Sequence, residues 1–141
     1  ESRSVAVHLP VDHIIAQELD AGAEVRVTDG KEIPEGWKGF DIGPKTVDEF
    51  KRELEGARTV VWNGPVGVFE VEPFAKGTQA IAAYLSERNA ATVVCGGDTV
   101  SAVTQFGVAE KMSHVSTGGG ASLEMLEGKE LPGLAALTDK Q

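Results

Sequence analysis

Two glycine-rich turns, Cys95-Gly96-Gly97-Asp98-Thr99 and Ser116-Thr117-Gly118-Gly119-Gly120-Ala121-Ser122, constrain this chain more than any other feature. Each follows a short strand-like run, Thr92-Val93-Val94 or His114-Val115-Ser116, and each precedes a segment that reads as a helix. The order strand, glycine turn, helix leaves backbone N–H groups unpaired at a helix start, where the peptide dipoles favour negative charge. Glycine lets an anion reach that backbone with no Cβ in the way. Two such turns in one chain point to a nucleotide or phosphoryl site. For Gly118–Gly120 the alternative is an ordinary tight turn, but three consecutive glycines cost conformational entropy and add no packing, which favours phosphate contact.

The rest of the chain alternates strand and helix signals. Val5–Leu9 reads as a buried strand ended by Pro10, and Glu24–Thr28 as a second. Residues 30–44 are rich in Gly, Pro and Trp and read as loop. Lys45–Leu54 carries Val47, Phe50 and Leu54 on one helical face, and Gly56 stops it. Thr59–Trp62 reads as a strand, Asn63–Glu70 as a loop, and Pro73 opens a helix running to Arg88. Strand Thr92–Cys95, a helix from Asp98 to Phe106, strand His114–Ser116 and a short helix Ser122–Leu126 complete the order. Leu131–Gln141 reads as a weakly held tail. This alternation predicts an α/β fold, Rossmann-like, with a mainly parallel sheet and helices on both faces in three layers. Ligands of such sheets bind beyond the carboxyl ends of the strands, the edge where Asn63, Gly96, Asp98 and Gly118 fall.

Charge and composition narrow the function. The 141 residues suit one core, and the net charge of −9 argues against a nucleic-acid surface, which needs a basic patch. For a polyanion site the charge requires either a metal ion or basic residues on polypeptide outside this sequence. Cys95 is the only cysteine, which excludes an intrachain disulfide and fits a reducing compartment. No apolar stretch approaches the ~20 residues that span a bilayer, and no signal peptide is visible. The chain starts at Glu1 and enters a strand-like run almost at once, so it reads as a piece of something longer.

Common nucleotide motifs are missing: there is no strand followed by Gly-x-Gly-x-x-Gly and no Gly-x4-Gly-Lys-[Ser/Thr]. This disfavours a dinucleotide-dependent oxidoreductase and a P-loop enzyme, and a non-catalytic nucleotide-binding module stays open beside an enzyme. Asp98 reads either as a helix cap or as a hard oxygen ligand for Mg²⁺, and the two are compatible. The run from Trp62 to Glu70 offers an amide, a kinked backbone, apolar side chains and a carboxylate, the parts that hold an adenosine. His8, His13 and His114 lack metal-ligand spacing and read as structural. Cys95 reads as a small buried hydrophobe.

Taken together, Val61-Trp62-Asn63-Gly64-Pro65-Val66-Gly67-Val68-Phe69-Glu70, Gly96-Gly97-Asp98-Thr99 and His114 through Ser122 resemble phosphoglycerate kinase in order and spacing, with further matches at Leu9–Asp12 and Gly36–Asp41. The resemblance covers essentially the whole chain. It implies residues 1–141 of a C-terminal nucleotide-binding domain, incomplete on its N-terminal side, from a cytoplasmic, monomeric glycolytic kinase. That kinase moves a phosphoryl group between 1,3-bisphosphoglycerate and ADP, giving 3-phosphoglycerate and ATP, with Mg²⁺. Gly39 and Phe40 would line the adenine pocket with Pro65 and Val66, Glu70 would hold the ribose, and Asn63 would lie near the phosphates. Gly96, Gly97 and Thr99 would contact the phosphates, Asp98 would bind Mg²⁺, and Thr117, Gly118, Gly119 and Gly120 would face the group in flight. The chain departs from the family at Cys95, where a third glycine is frequent. The family's basic phosphoglycerate pocket, on its N-terminal domain, and a nucleotide-binding lysine have no counterpart in this sequence, and the fragment is expected to be inactive alone.

Overall fold

A computed structural model describes residues 5–137. Strand β1 (His13–Ala16) lies between β2 (Arg26–Val27) and β3 (Lys38–Ile42) in an antiparallel sheet. A second, parallel sheet runs in the order β4 (Thr59–Asn63), β5 (Ala91–Cys95), β6 (His114–Ser116). Helices α1 (Pro44–Leu54), α2 (Lys76–Ser86) and α3 (Gly97–Gln105) supply the apolar faces that cover it. Trp62, Val94, Ile81, Leu85, Val103 and Met112 form the main core, joined by Ile42 from β3. Val60 and Trp62 alternate with Val61, which remains 40% exposed, as the period of two in a strand requires. Helices α4 (Gly119–Leu126) and α5 (Pro132–Ala135) end the described chain and bury none of their residues. The result is an α/β fold with a parallel sheet flanked by helices.

The antiparallel sheet is the main departure from the sequence reading. Residues 30–44 contain β3, whose register with β1 runs from Ile42 opposite His13 to Lys38 opposite Ala16, with an irregularity between Ile14 and Ile15. Gly36, Pro34 and Trp37 mask that strand, because turn residues crowd its start. Val5–Leu9 forms no strand and is not buried: Val5, Val7 and Leu9 are 71%, 77% and 64% exposed. An alternating run becomes a strand only beside a sheet edge, and none of the described residues pairs with this one. Pro73 sits in a single 3-10 turn, Glu72–Phe74, and α2 starts two residues later than the turn ends and stops at Ser86, short of Arg88. Helices α3 and α4 begin one and three residues earlier than read, at Gly97 and Gly119, so the glycines belong to the first turns. The tail is partly ordered into α5, and residues 138–141 lie outside the described residues.

Two buried aspartates join the antiparallel sheet to the helices. Asp12, fully buried just before β1, accepts hydrogen bonds from the Lys45 N–H (3.0 Å), the Thr46 N–H (2.8 Å) and the Thr46 hydroxyl (2.6 Å). It therefore caps α1 from 34 residues away along the chain at Thr46, and Pro44 at the helix start has no N–H to satisfy. Gly43 leaves the room this carboxylate occupies, since a Cβ there would collide with it. Burial alone would raise the Asp12 carboxyl, but the hydrogen bonds from Thr46 and Lys45, with the Lys45 charge, outweigh it and hold it below the ordinary carboxylate range.

Asp12→Ala would leave the Lys45 and Thr46 amides at the start of α1 short of an acceptor inside the protein, while the Thr46 hydroxyl keeps the residue-12 backbone carbonyl. We expect a loss of roughly 3 kcal/mol of unfolding free energy, read from urea unfolding followed by tryptophan fluorescence. A depressed carboxyl contributes stability above its unfolded pKa and loses it as pH falls through its folded value. The difference between parent and variant should therefore be full at pH 7 and shrink only on strong acidification.

Candidate nucleotide-binding site

The three parallel strands end together. Their register places Asn63 beside Cys95 and Cys95 beside Ser116, so the segments that follow leave the sheet at one edge. After β5, Gly96 turns the chain at φ +89°, a backbone conformation L side chains rarely adopt, and its N–H donates to the Ser116 carbonyl at 3.0 Å. The first helical bond of α3 runs from the Val100 N–H to the Gly96 carbonyl, so the amides of Gly97, Asp98 and Thr99 precede the ladder. After β6, the Gly119 N–H closes a tight turn on the Thr117 carbonyl, and the Ser122 N–H opens the α4 ladder on Gly118. The amides of Gly120 and Ala121 are the ones left at that helix start. Gly119 accordingly acts through its lack of a side chain rather than as a donor.

The two glycine turns touch. A Cβ on Gly119 would lie 2.9 Å from the Gly96 Cα and 3.2 Å from the Asn63 Oδ1, and one on Gly96 would lie 2.8 Å from the same oxygen. The Asn63 amide thus sits in the notch between both turns. Asn63, Gly97, Asp98, Thr117, Gly118 and Gly120 are exposed there, as a site for an incoming anion requires. Thr99 is different: it is fully buried, and its hydroxyl accepts the Gly64 N–H at 2.7 Å. Its side chain locks the loop after β4 to α3, which leaves only its backbone amide at the helix start. The Trp62 indole adds to that lock by donating to the Gly64 carbonyl at 2.7 Å, with Gly64 at φ +105°. Asp98 is not the helix cap; that place belongs to Gly96, and no hydrogen bond engages the Asp98 carboxylate among the described residues. Cys95 is buried at the end of β5, one residue before the backbone turns.

The segment after β4 folds back on β3. The Val68 N–H donates to the Phe40 carbonyl at 2.8 Å, and the Phe40 ring packs on Phe74 with centroids 4.9 Å apart. The Val66 N–H donates to the Thr78 hydroxyl in α2 at 3.2 Å. Gly39 and Glu70 are exposed, and Phe40, Pro65 and Val66 half-buried, along this strand–loop junction. Val66 also borders a cavity with Phe50, Leu54, Val60, Trp62 and Ile81, which shares no residue with the glycine turns. A larger cavity between Arg26 and Pro34 is lined by none of the expected site residues. The edge where the two glycine turns meet is open and lined by backbone amides, and neither of these two cavities includes it.

Sequence reasoning gave no role to Asp41 or Thr78, which hold this junction together. Asp41 is 5% exposed and accepts hydrogen bonds from the Gly77 N–H (2.6 Å) and the Ile42 N–H (2.9 Å). Burial raises its carboxyl to about 6, against the two amides, which act in the opposite direction. The signal was present in the sequence: an aspartate inside an apolar strand, Phe40-Asp41-Ile42, and a glycine inside a helix at Gly77.

The sequence model of phosphoglycerate kinase matches residues 1–129. The chain belongs to the phosphoglycerate kinase family. The phosphoglycerate kinase of Chloroflexus aurantiacus is 56% identical over 144 residues, covering all of this chain and 36% of that protein. That of Thermosipho africanus is 50% identical over 145 residues. The solved phosphoglycerate kinase of Coxiella burnetii superposes with a TM-score of 0.84 at 44% identity, over 91% of this chain and 33% of that one. The enzyme from Pyrococcus horikoshii gives 0.76 at 34% identity. The chain therefore spans about a third of the length of these relatives.

The contact between the turns makes a specific prediction. Gly119→Ala in the full-length protein presses a methyl group on Gly96 and Asn63, which moves both turns at once. The crowding should lower the unfolding free energy by roughly 1–3 kcal/mol, the scale of an overpacked contact, and urea unfolding of parent and variant measures it; equal stabilities would show that the turns do not press on one another.

Proposed function

We propose that this chain supplies the Mg-nucleotide half of a phosphoglycerate kinase site, in a cytoplasmic glycolytic enzyme that works as a monomer. The observation that carries the reading is the meeting of Asn63, Gly96 and Gly119 at the shared carboxyl edge of three parallel strands, with two helix N-termini opening beside them. Family membership supports ADP and ATP as the nucleotide pair and 1,3-bisphosphoglycerate and 3-phosphoglycerate as the second pair, which would bind on polypeptide outside this sequence. No helix among the described residues is long and apolar enough to cross a membrane.

In this reading the adenine rests against Phe40, Pro65 and Val66, with Gly39 open beside them, and Glu70 accepts from the ribose hydroxyls. The amides of Gly97, Asp98 and Thr99 receive the nucleotide phosphates at the α3 start. The amides of Gly120 and Ala121, with Asn63 alongside, face the phosphoryl group as it crosses. Thr117 and Gly118 shape that turn. The bond from the acyl oxygen of 1,3-bisphosphoglycerate to phosphorus breaks, a β-phosphate oxygen of ADP bonds to that phosphorus, and the carboxylate leaves. No protein nucleophile is required, so catalysis consists of positioning and charge stabilisation.

The donor set fits Mg²⁺. Asp98 is exposed, free of hydrogen bonds among the described residues, and beside amides suited to phosphate. No group of three or more metal-ligating side chains exists among the described residues, and Mg²⁺ with a nucleotide needs only one or two carboxylates plus the phosphates. Bound there, the ion would neutralise charge on the phosphates.

A coupled assay of the full-length protein with 1,3-bisphosphoglycerate and ADP tests the reading directly, and absence of turnover would overturn it. Asp98→Ala should lower the turnover number more than it weakens ADP binding in Mg²⁺-free buffer; unchanged turnover would remove Asp98 from the site. The 141-residue chain alone should give no turnover above a no-enzyme control.

A further inference from the structure

We propose that Asp41 is a positioning residue for the base and ribose of the nucleotide, holding the strand and loop that contact them in one geometry. The inference rests on the nucleotide reading above and adds to it a residue that touches no substrate.

Asp41 is where the two segments proposed to hold the base and ribose, β3 and the loop after β4, meet helix α2. It belongs to β3, directly after Gly39 and Phe40. One carboxylate oxygen accepts from Ile42 in the same strand, and the other accepts from Gly77 in the first turn of α2. It also fills the space that two glycines leave vacant, because a Cβ on either Gly67 or Gly77 would collide with it. Gly67 lies in the loop between Val66 and Glu70, so the carboxylate packs against the backbone that presents Pro65, Val66 and Glu70. Two neighbouring bonds, Val68 to Phe40 and Val66 to Thr78, close the same ring of contacts. The phosphate turns at Gly96 and Gly119 are tied by other bonds, from the Gly96 N–H to the Ser116 carbonyl and from the Gly119 N–H to the Thr117 carbonyl, and none involves Asp41.

Keeping an anion in this place is costly. Burial raises its carboxyl to about 6, so folding favours the neutral acid, and the ionised form persists at neutral pH at the expense of stability. A neutral acid receives only one of the two amides well, through its carbonyl oxygen. An apolar residue of similar size would remove the burial cost yet could not join α2 to β3. The charged and titratable side chains on the surrounding elements are Lys38 on β3, His13 on β1, Glu70 and Glu72 in the loop and turn, and Lys76 on α2. None of them makes a hydrogen bond or ion pair with Asp41.

The test separates base and ribose from phosphate. Adenosine and pyrophosphate are titrated into full-length parent and Asp41→Asn at pH 7.5 by calorimetry or NMR. In the variant the adenosine dissociation constant should rise about tenfold, the scale of one hydrogen bond to a charged group, while that of pyrophosphate stays within about twofold. Equal adenosine affinities in parent and variant would overturn the inference, as would a parallel loss for both probes, which marks a merely structural residue. A second measurement needs no variant: adenosine binding by the parent should weaken as pH falls through about 6, and His13→Gln should leave that profile in place. A flat profile between pH 5 and 7.5 would overturn the inference even if Asp41→Asn does not fold. Failure of the parent to bind ADP would instead sink the nucleotide reading itself.

Discussion

A helix start held by a carboxylate from a distant strand is the interaction on which this architecture depends. Helix N-termini carry amides with no partner inside the helix, and here neither α1 nor α2 is capped by its own N-cap side chain. Asp12, just before β1, and Asp41, within β3, serve them instead, and Gly43, Gly67 and Gly77 clear the space. The two carboxylates pull stability in opposite directions with pH. Asp12, held low, contributes above the ordinary carboxylate range and loses its contribution as pH falls through its folded value. Asp41, raised to about 6, contributes fully at low pH and loses its contribution as pH rises through that value. The first is a stabilising cap. The second is tolerated at neutral pH and lies under the surface proposed to receive the nucleotide.

Around that frame the site is made largely of backbone. Gly96 takes a positive φ, Gly119 permits the close approach of one turn to the other, and the helix amides behind them supply partial positive charge without any cationic side chain. A chain of net charge −9 can in this way offer positive potential from its backbone alone. Thr99 and Trp62 matter despite facing inward: their bonds to Gly64 fix the loop that carries Asn63 into the notch.

The parallel half of the fold was legible because its signals are local. The runs Thr92–Val94 and His114–Ser116, each followed by glycine and a helical stretch, announce strand, turn and helix within a few residues, and the β-branched run Thr59–Val61 announces β4. The glycine turns were legible for the same reason, and the structure brings Asn63, Gly96 and Gly119 together as that reading required. The antiparallel half was not legible, because β1 and β3 are short, lie about 25 residues apart and are bounded by turn residues that dominate the local pattern. The tasks of Asp12, Asp41 and the Thr99 hydroxyl are long-range bonds, which no spacing rule encodes. The Val5–Leu9 reading erred in the opposite way: the pattern was right for a strand, but a strand is a relation between two segments.

That run has a colloidal consequence. Val5, Val7 and Leu9 stand exposed outside any strand or helix, and β4 lies at the end of its sheet with Val61 40% exposed. Unpaired amides and carbonyls beside apolar side chains form a template for strand addition, which adhesion between copies satisfies as readily as native pairing does. At high concentration this stretch of polypeptide, taken by itself, would be limited by self-association before it was limited by weak affinity for any ligand.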